Sequence, residues 1–274
     1  MRVDQLLVDA GLAASRSQAQ RLIAAGAQWR LGADAPWQTI KKKSEELPTQ
    51  AELRLLDASE AEYVSRGGLK LAGALTAAQV TVAGKYCLDV GQSTGGFSDC
   101  LLRRGAAYVV GVDVGHGQLH PSLLGHERLG VLEGVNARSL NMAQLIAMDT
   151  GAAQADLTAE NQEKPYKNGF DLIVGDLSFI SLSLVLPALR PLLAARGEFL
   201  LLVKPQFELQ PSDIAKGGLV KDPSKYALVQ KKIRAICADL DLRVLHWLDS
   251  PIAGGDGNRE FFLHAQPQAR VQAD

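Results

Sequence analysis

The run Asp89-Val90-Gly91-Gln92-Ser93-Thr94-Gly95-Gly96-Phe97 sets a carboxylate at the end of an apolar stretch and follows it with closely spaced glycines. Glycines in such a turn let the backbone approach a ligand where a side chain would block it. The spacing is Gly-x-x-x-Gly-Gly rather than Gly-x-Gly-x-x-Gly, and Asp89 stands where a dinucleotide would bring its anionic pyrophosphate. A dinucleotide is therefore disfavoured and a cationic ligand favoured. S-adenosylmethionine, with its sulfonium and ammonium groups, is a ligand of that kind. At the end of the next apolar run, Asp113 can accept hydrogen bonds from both hydroxyls of a ribose. Asn136, after a third run, could face an adenine or serve as a turn residue. With Asp176, discussed next, the candidate cofactor-binding set is Asp89, Gly91, Ser93, Gly95, Gly96, Phe97, Asp113, Asn136 and Asp176.

Asp176 and Lys204 each close an apolar run, which sets them at carboxyl ends of strands, where open α/β sheets carry their chemistry. Both are costly to bury unpaired, and neighbouring strands would let them pair. Such a pair in a solvated crevice can equally be structural. Beside a methyl donor, a lysine suits a hydroxyl acceptor. A ribose 2'-hydroxyl is a poor nucleophile and gains from a group that takes its proton or stabilises the developing alkoxide. Lys204 can do either: desolvation or a second lysine would favour the base, whereas Asp176 and Glu260 favour the oxyanion stabiliser. Asp176-Leu177-Ser178-Phe179 lacks the Asn/Asp-Pro-Pro-aromatic element common among enzymes that methylate exocyclic amines. Cytosine C5 methylation needs a nucleophilic cysteine, and Cys87, Cys100 and Cys237 lie at no strand end near Asp176 or Lys204.

The elements that must position these residues follow from periodicity. Apolar runs Tyr86 to Val90, Tyr108 to Asp113, Gly130 to Leu132, Asp171 to Asp176 and Glu198 to Lys204 alternate with helical segments, which predicts an open α/β parallel sheet. Arg243 to Asp249 and Arg259 to His264 are separated only by a Pro/Gly-rich loop and should form an antiparallel hairpin. The first sixty or so residues differ. Leu6, Leu7 and Ala10 give one helical face ended by Gly11, and Ser15 can cap a second helix carrying Ala19, Leu22 and Ile23 until Gly26. Trp29 to Leu31 and Glu52 to Leu56 are strand candidates, separated by Lys41-Lys42-Lys43 and a Pro48 turn. A small α+β domain over 1–60, a linker over 61–66 and the α/β domain over 67–274 are expected, with a boundary near Asp57 to Tyr63 and a polar insertion over 149–169.

Bulk properties bound the partners. With 274 residues and 47% hydrophobic content the chain can bury one full core and a small second module. The net charge of -1 leaves any nucleic-acid binding to local basic patches. Arg16, Gln20 and Arg21 share a helical face and with Arg2 could track phosphates, although such a face can also be merely solvated. Three cysteines without metal-like spacing suggest neither disulfides nor zinc, and no metal is expected. Neither a signal core nor a long apolar span is evident, so a soluble, cytoplasmic chain is expected; Leu184 to Ala195 is interrupted by Pro187, Arg190 and Pro191.

Nearly the whole chain resembles the TlyA, or hemolysin A, family of ribosomal RNA 2'-O-methyltransferases, related to the FtsJ-type fold. The resemblance rests on Tyr63-Val64-Ser65-Arg66-Gly67-Gly68-Leu69-Lys70-Leu71, the Asp89 to Phe97 loop and Gly175-Asp176-Leu177-Ser178-Phe179-Ile180-Ser181. It rests also on Val203-Lys204-Pro205-Gln206-Phe207-Glu208, Gly218-Leu219-Val220-Lys221-Asp222-Pro223 and Asn258-Arg259-Glu260-Phe261-Phe262. The resemblance implies a Rossmann-like class I S-adenosylmethionine-dependent sheet and a catalytic tetrad of Lys70, Asp176, Lys204 and Glu260, with Lys70 supplying the second lysine. It also implies ribosomal RNA or ribosomal subunits as partner, with cytidine as the modified nucleotide. The start of the chain is similar to an S4 RNA-binding domain through Arg2-Val3-Asp4, Gly11-Leu12, Ser15 to Ala19 and Gly26. It departs afterwards, where Ala27-Gln28-Trp29-Arg30-Leu31-Gly32 replaces Val-x-Val-Asn-Gly. The RNA-binding set is then Arg2, Arg16, Gln20, Arg21 and Arg66. Two other functions stay open at the level of sequence: a non-catalytic RNA-binding or assembly factor, and a membrane-active hemolysin.

Overall fold

The computed structural model describes residues 1–13, 15–56, 61–149, 164–254 and 257–268. It divides into two compact units, Met1–Leu69 and Lys70–Asp274.

In the first unit, α1 (Val3–Asp9) is followed by Gly11 at φ +70°, and α2 (Arg16–Gly26) begins where Ser15 Oγ accepts a hydrogen bond from the Gln18 amide. Leu6, Leu7, Ala19, Leu22 and Ile23 form its core. A three-stranded antiparallel sheet, β1 (Ala27–Arg30), β2 (Gln38–Thr39) and β3 (Glu52–Leu55), has the order β2-β1-β3. The short β2 carries too few residues for its alternation to register in sequence. The 61–66 stretch falls inside this unit. Residues 57–60 of the expected boundary, and 150–163 of the expected polar insertion, lie outside the described residues.

The unit boundary falls within α3 (Arg66–Ala77). Beyond it lie β4 (Tyr86–Val90), α4 (Gly96–Arg103), β5 (Tyr108–Val112), β6 (Leu129–Leu132), α5 (Met142–Met148), β7 (Phe170–Gly175), α6 (Leu186–Leu189), β8 (Leu193–Val203), α7 (Pro205–Glu208), α8 (Ser224–Asp239), β9 (Leu242–Asp249) and β10 (Phe261–Pro267). The seven strands run in the order β6-β5-β4-β7-β8-β10-β9. β4 to β8 are parallel, and β10 is antiparallel to both β8 and β9. This is the expected class I methyltransferase sheet, with a small α+β unit ahead of it. Central strands such as Leu88, Ile173, Leu200 and Leu201 are fully buried on both faces, which is why they read as unbroken apolar runs.

Strand limits shift by one or two residues in several places, β1 starting at Ala27 rather than Trp29, and most in β8 and β10. β8 starts earlier, at Leu193, where Arg196 and Gly197 break the apolar run and the pairing with β7 shifts register between Leu193 and Glu198. β10 starts later, at Phe261, leaving Glu260 in the preceding loop. The Leu184 to Ala195 segment forms short helical turns and the start of β8.

Candidate active site

β4 lies where strand order reverses. Val90 pairs with Val112 of β5 on one side and Gly175 of β7 on the other, so the loops leaving three strands open side by side. Gly91 turns at φ +83°, and a Cβ there would stand 3.1 Å from the Asp176 carbonyl oxygen. Gly95, at φ +88°, precedes α4, and its added Cβ would meet Leu123 Cδ1 at 2.5 Å. Asp113 pins the loop: Oδ2 accepts from the Ser93 amide (2.8 Å) and Oδ1 from the Gly115 amide (2.7 Å). Each oxygen keeps a further lone pair for a ligand hydroxyl.

A cavity of about 450 Å³ opens here, lined in part by Gly91, Ser93, Asp113, Asn136 and Asp176. Those five of the nine expected cofactor residues therefore meet. Asn136 serves both readings: it lines the cavity, and its Oδ1 accepts from the Arg138 amide to cap a short turn.

Asp89, Gly95, Gly96 and Phe97 are not among the residues lining this cavity. Asp89 lies one residue short of the end of β4 and is fully buried beneath the loop. Its Oδ2 accepts from Ser98 Oγ (2.7 Å), which in turn accepts from Gln92 Nε2 (2.9 Å). Its Oδ1 has no hydrogen-bond partner among the described residues. Burial, partly offset by the Ser98 bond, pushes the Asp89 carboxyl up to about 7. Phe97 faces the interior because it stands on the apolar side of α4, and its ring stacks on Phe262 with centroids 6.2 Å apart.

A second cavity, about 420 Å³, adjoins the first and shares Ser178 and Phe179 with it. Lys204 follows the last residue of β8, and its Nζ lies 2.7 Å from Asp176 Oδ1 and donates to Ser178 Oγ at 2.7 Å. Phe261 pairs with Val203, which brings Glu260 alongside Lys204. Lys70 reaches Glu260 Oε2 at 2.6 Å, with both side chains buried. Lys70, Lys204 and Glu260 line this cavity, and Asp176 faces the first one. Buried ion pairs repay their desolvation only at short, hydrogen-bonded geometry, which Lys70–Glu260 has; Lys204–Asp176 is a close ion contact between partly exposed side chains.

Several residues of the site were not singled out by sequence reasoning. Phe179 is 91% exposed at φ +63°, with its ring 5.1 Å from that of Phe207. The signal available was an aromatic residue in a turn at a strand end, where no core awaits it. Gly217 and Gly218, both left-handed, line the second cavity. Buried Asn258 holds that wall, donating to the Gly218 carbonyl (2.8 Å) and accepting from the Val220 amide (2.9 Å).

In the first unit, three of the expected RNA-binding residues converge on one buried carboxylate. Asp4 accepts from Arg2 Nε (3.1 Å) and Nη2 (2.9 Å), Arg16 Nη2 (3.0 Å) and Gln20 Nε2 (3.0 Å). The Arg2 bond foremost, with Gln20 and Arg16, holds Asp4 well below the usual carboxylate range. Arg21 instead donates to the Ser17 carbonyl of its own helix (3.1 Å), and Arg66 opens α3.

The sheet order, the glycine turn and a carboxylate-lined cleft at the switch point define a methyltransferase with an S4-like unit ahead of it. The chain belongs to the FtsJ-like methyltransferase family, whose model matches residues 63–266, and an S4 domain model matches residues 1–27. It is 40% identical to the 16S/23S rRNA (cytidine-2'-O)-methyltransferase TlyA of Mycobacterium tuberculosis, over 97% of this chain and 90% of that one. It is 32% identical to hemolysin A of Brachyspira hyodysenteriae, over 96% of this chain and 99% of that one. A hemolysin-named structure from Streptococcus thermophilus superposes with a TM-score of 0.69 at 33% identity, covering 99% of this chain and 91% of that one. Among the described residues no helix is long and apolar enough to cross a membrane, and no cluster of side chains is arranged to hold a metal ion.

Proposed function

We propose that this enzyme transfers a methyl group from S-adenosylmethionine to the ribose 2'-hydroxyl of a cytidine in ribosomal RNA. The observation that carries the proposal is the pair of lysine–carboxylate bridges, Lys204–Asp176 and Lys70–Glu260, set beside a nucleoside-sized cleft.

The residues present fit S-adenosylmethionine. Asp89 Oδ1, without a hydrogen-bond partner among the described residues, lies beneath the loop, so its charge favours a cation above it, and Gly91, where a Cβ would crowd the Asp176 carbonyl, lets the backbone line the cavity. Asp113 would take the ribose hydroxyls, and Asn136 would border the base. When bound, S-adenosylmethionine supplies an electrophilic methyl group next to a positive sulfur.

The chain's own residues then act on the acceptor. Lys204, ion-paired with Asp176, donates to the acceptor oxygen as negative charge builds there. Asp176 and Ser178 fix the direction of that ammonium. Lys70 adds a second positive group to the cavity, and Glu260 keeps it in place. The carboxylates are the proton acceptors closest to hand. The S4-like unit offers the guanidinium cluster of Arg2 and Arg16 to RNA phosphates, Arg21 and Arg66 adding to the positive surface. Ribosomal RNA as substrate implies work in the cytoplasm.

The test is transfer of labelled methyl groups to ribosomal subunits or their RNA, with the label mapped to ribose. A reaction that labels only bases, or none at all, overturns the proposal.

A further inference from the structure

The Lys204-Pro205-Gln206-Phe207-Glu208 run is used only at its first residue by the chemistry above. Its last residue has an unexplained environment. Glu208 is a carboxylate with 1% of its side chain exposed, and it lines neither cavity. Its Oε1 accepts from the Leu182 amide at 2.7 Å, and its Oε2 accepts from Ser181 Oγ at 2.5 Å. Lys232 of α8 closes the arrangement, its Nζ lying 2.9 Å from Oε2, 2.9 Å from the Glu208 carbonyl oxygen and 3.1 Å from Ser181 Oγ.

What these bonds hold is the exit of the turn that begins at Asp176. That turn contains Phe179 in the left-handed region, which a bulky side chain rarely adopts, and such a backbone persists only where its surroundings over-determine it. Before Phe179 the turn is tied by the Lys204–Ser178 bond, and after it by Glu208 on Ser181 and Leu182. The tilted Phe179–Phe207 ring contact ties it in the middle. All three ties come from one short stretch, Lys204 to Glu208.

We infer that Glu208 is a positioning residue: it fixes the Asp176–Leu182 turn so that Ser178 and Phe179 close the wall shared by the two cavities. The inference rests on the proposed RNA acceptor only for its kinetic readout. A buried glutamate spared from either cavity acts through the turn, and Lys232 compensates its charge.

The test uses the full chain as wild type, Glu208→Gln and the milder Lys232→Met, whose lysine is 38% exposed. Amide hydrogen exchange is followed across the chain, with S-adenosylmethionine affinity and the kcat and KM for ribosomal subunits. In both variants exchange should quicken in the Asp176–Leu184 stretch before anywhere else, less in Lys232→Met. The kcat/KM for RNA should fall on the order of tenfold or more as the wall loses its geometry, while cofactor affinity should weaken by a smaller factor, since Gly91, Asp113 and Asn136 on the far side of the first cavity stay in place. Faster exchange spread evenly over the sheet, or local loosening with unchanged kinetics on RNA, overturns the inference. Local loosening in a chain whose wild type methylates no ribosomal RNA upholds the clamp and fails the substrate proposal, so the two are separable.

Discussion

Lys204 reaches its working position already bound to two oxygens, Asp176 Oδ1 and Ser178 Oγ. Lys204→Ala should therefore lower kcat by at least roughly 100-fold while leaving S-adenosylmethionine affinity nearly unchanged, as equilibrium binding and single-turnover rates would report. Asp89 makes a pH-dependent prediction. Burial pushes its carboxyl up to about 7 in the folded chain, from an ordinary carboxylate value of 3.8. Between those values the folded cofactor-free chain keeps a proton that the unfolded chain has lost. Its contribution to stability is thus fully present below about pH 4 and is lost as pH rises through 7. A cationic cofactor prefers the ionised form, so affinity should climb with pH and level off above about 7, with proton release on binding near pH 6 and little near pH 8.5. Calorimetry in buffers of different ionisation heat measures that release, and Asp89→Asn should flatten the pH dependence. Asp113, Asp176 and Lys204 were readable because each ends an apolar run, and Asp89 because it stands at the close of one, before the glycine turn. That Asp89 sits beneath the loop was not, since strand alternation near an end decides the face only once the turn at Gly91 is built.

At the scale of elements, the site depends on turns that only some residues can make. Gly91 and Gly84 are both left-handed, but a Cβ at Gly91 would crowd the Asp176 carbonyl whereas one at Gly84 would meet nothing within 4 Å. Gly91→Ala should weaken cofactor binding by about tenfold or more, and Gly84→Ala should cost only about 1 kcal/mol of stability, with binding intact. Titration of both variants with S-adenosylmethionine checks the contrast. The five parallel strands and the closing hairpin were legible because strands buried on both faces leave long apolar runs. The two-residue β2, the early start of β8 and the clamp behind Phe179 were not. They depend on pairing across the fold, as when Glu208 meets Leu182 and Lys232, and no local pattern encodes such contacts.

At the scale of the whole molecule, a net charge of -1 means that RNA affinity has to come from concentrated cations. The first unit concentrates them by burying Asp4 under Arg2, Arg16 and Gln20, which holds two guanidinium groups side by side. Arg16→Ala should raise KM for ribosomal subunits several-fold without altering cofactor affinity, and lower the salt slope of RNA binding by about one. The basic residues themselves were legible on the helix face, but their gathering by Asp4 needed the turn between α1 and α2. The central claim, ribose methylation by the Lys204–Asp176 and Lys70–Glu260 pairs, is tested most directly by mapping ribose methyl groups in ribosomal RNA treated with the wild-type chain and with Lys204→Ala. The account predicts at least one new 2'-O-methylcytidine with the wild type and none with the variant. A wild-type chain that leaves every ribose unchanged, or a Lys204→Ala chain that methylates equally well, would contradict it.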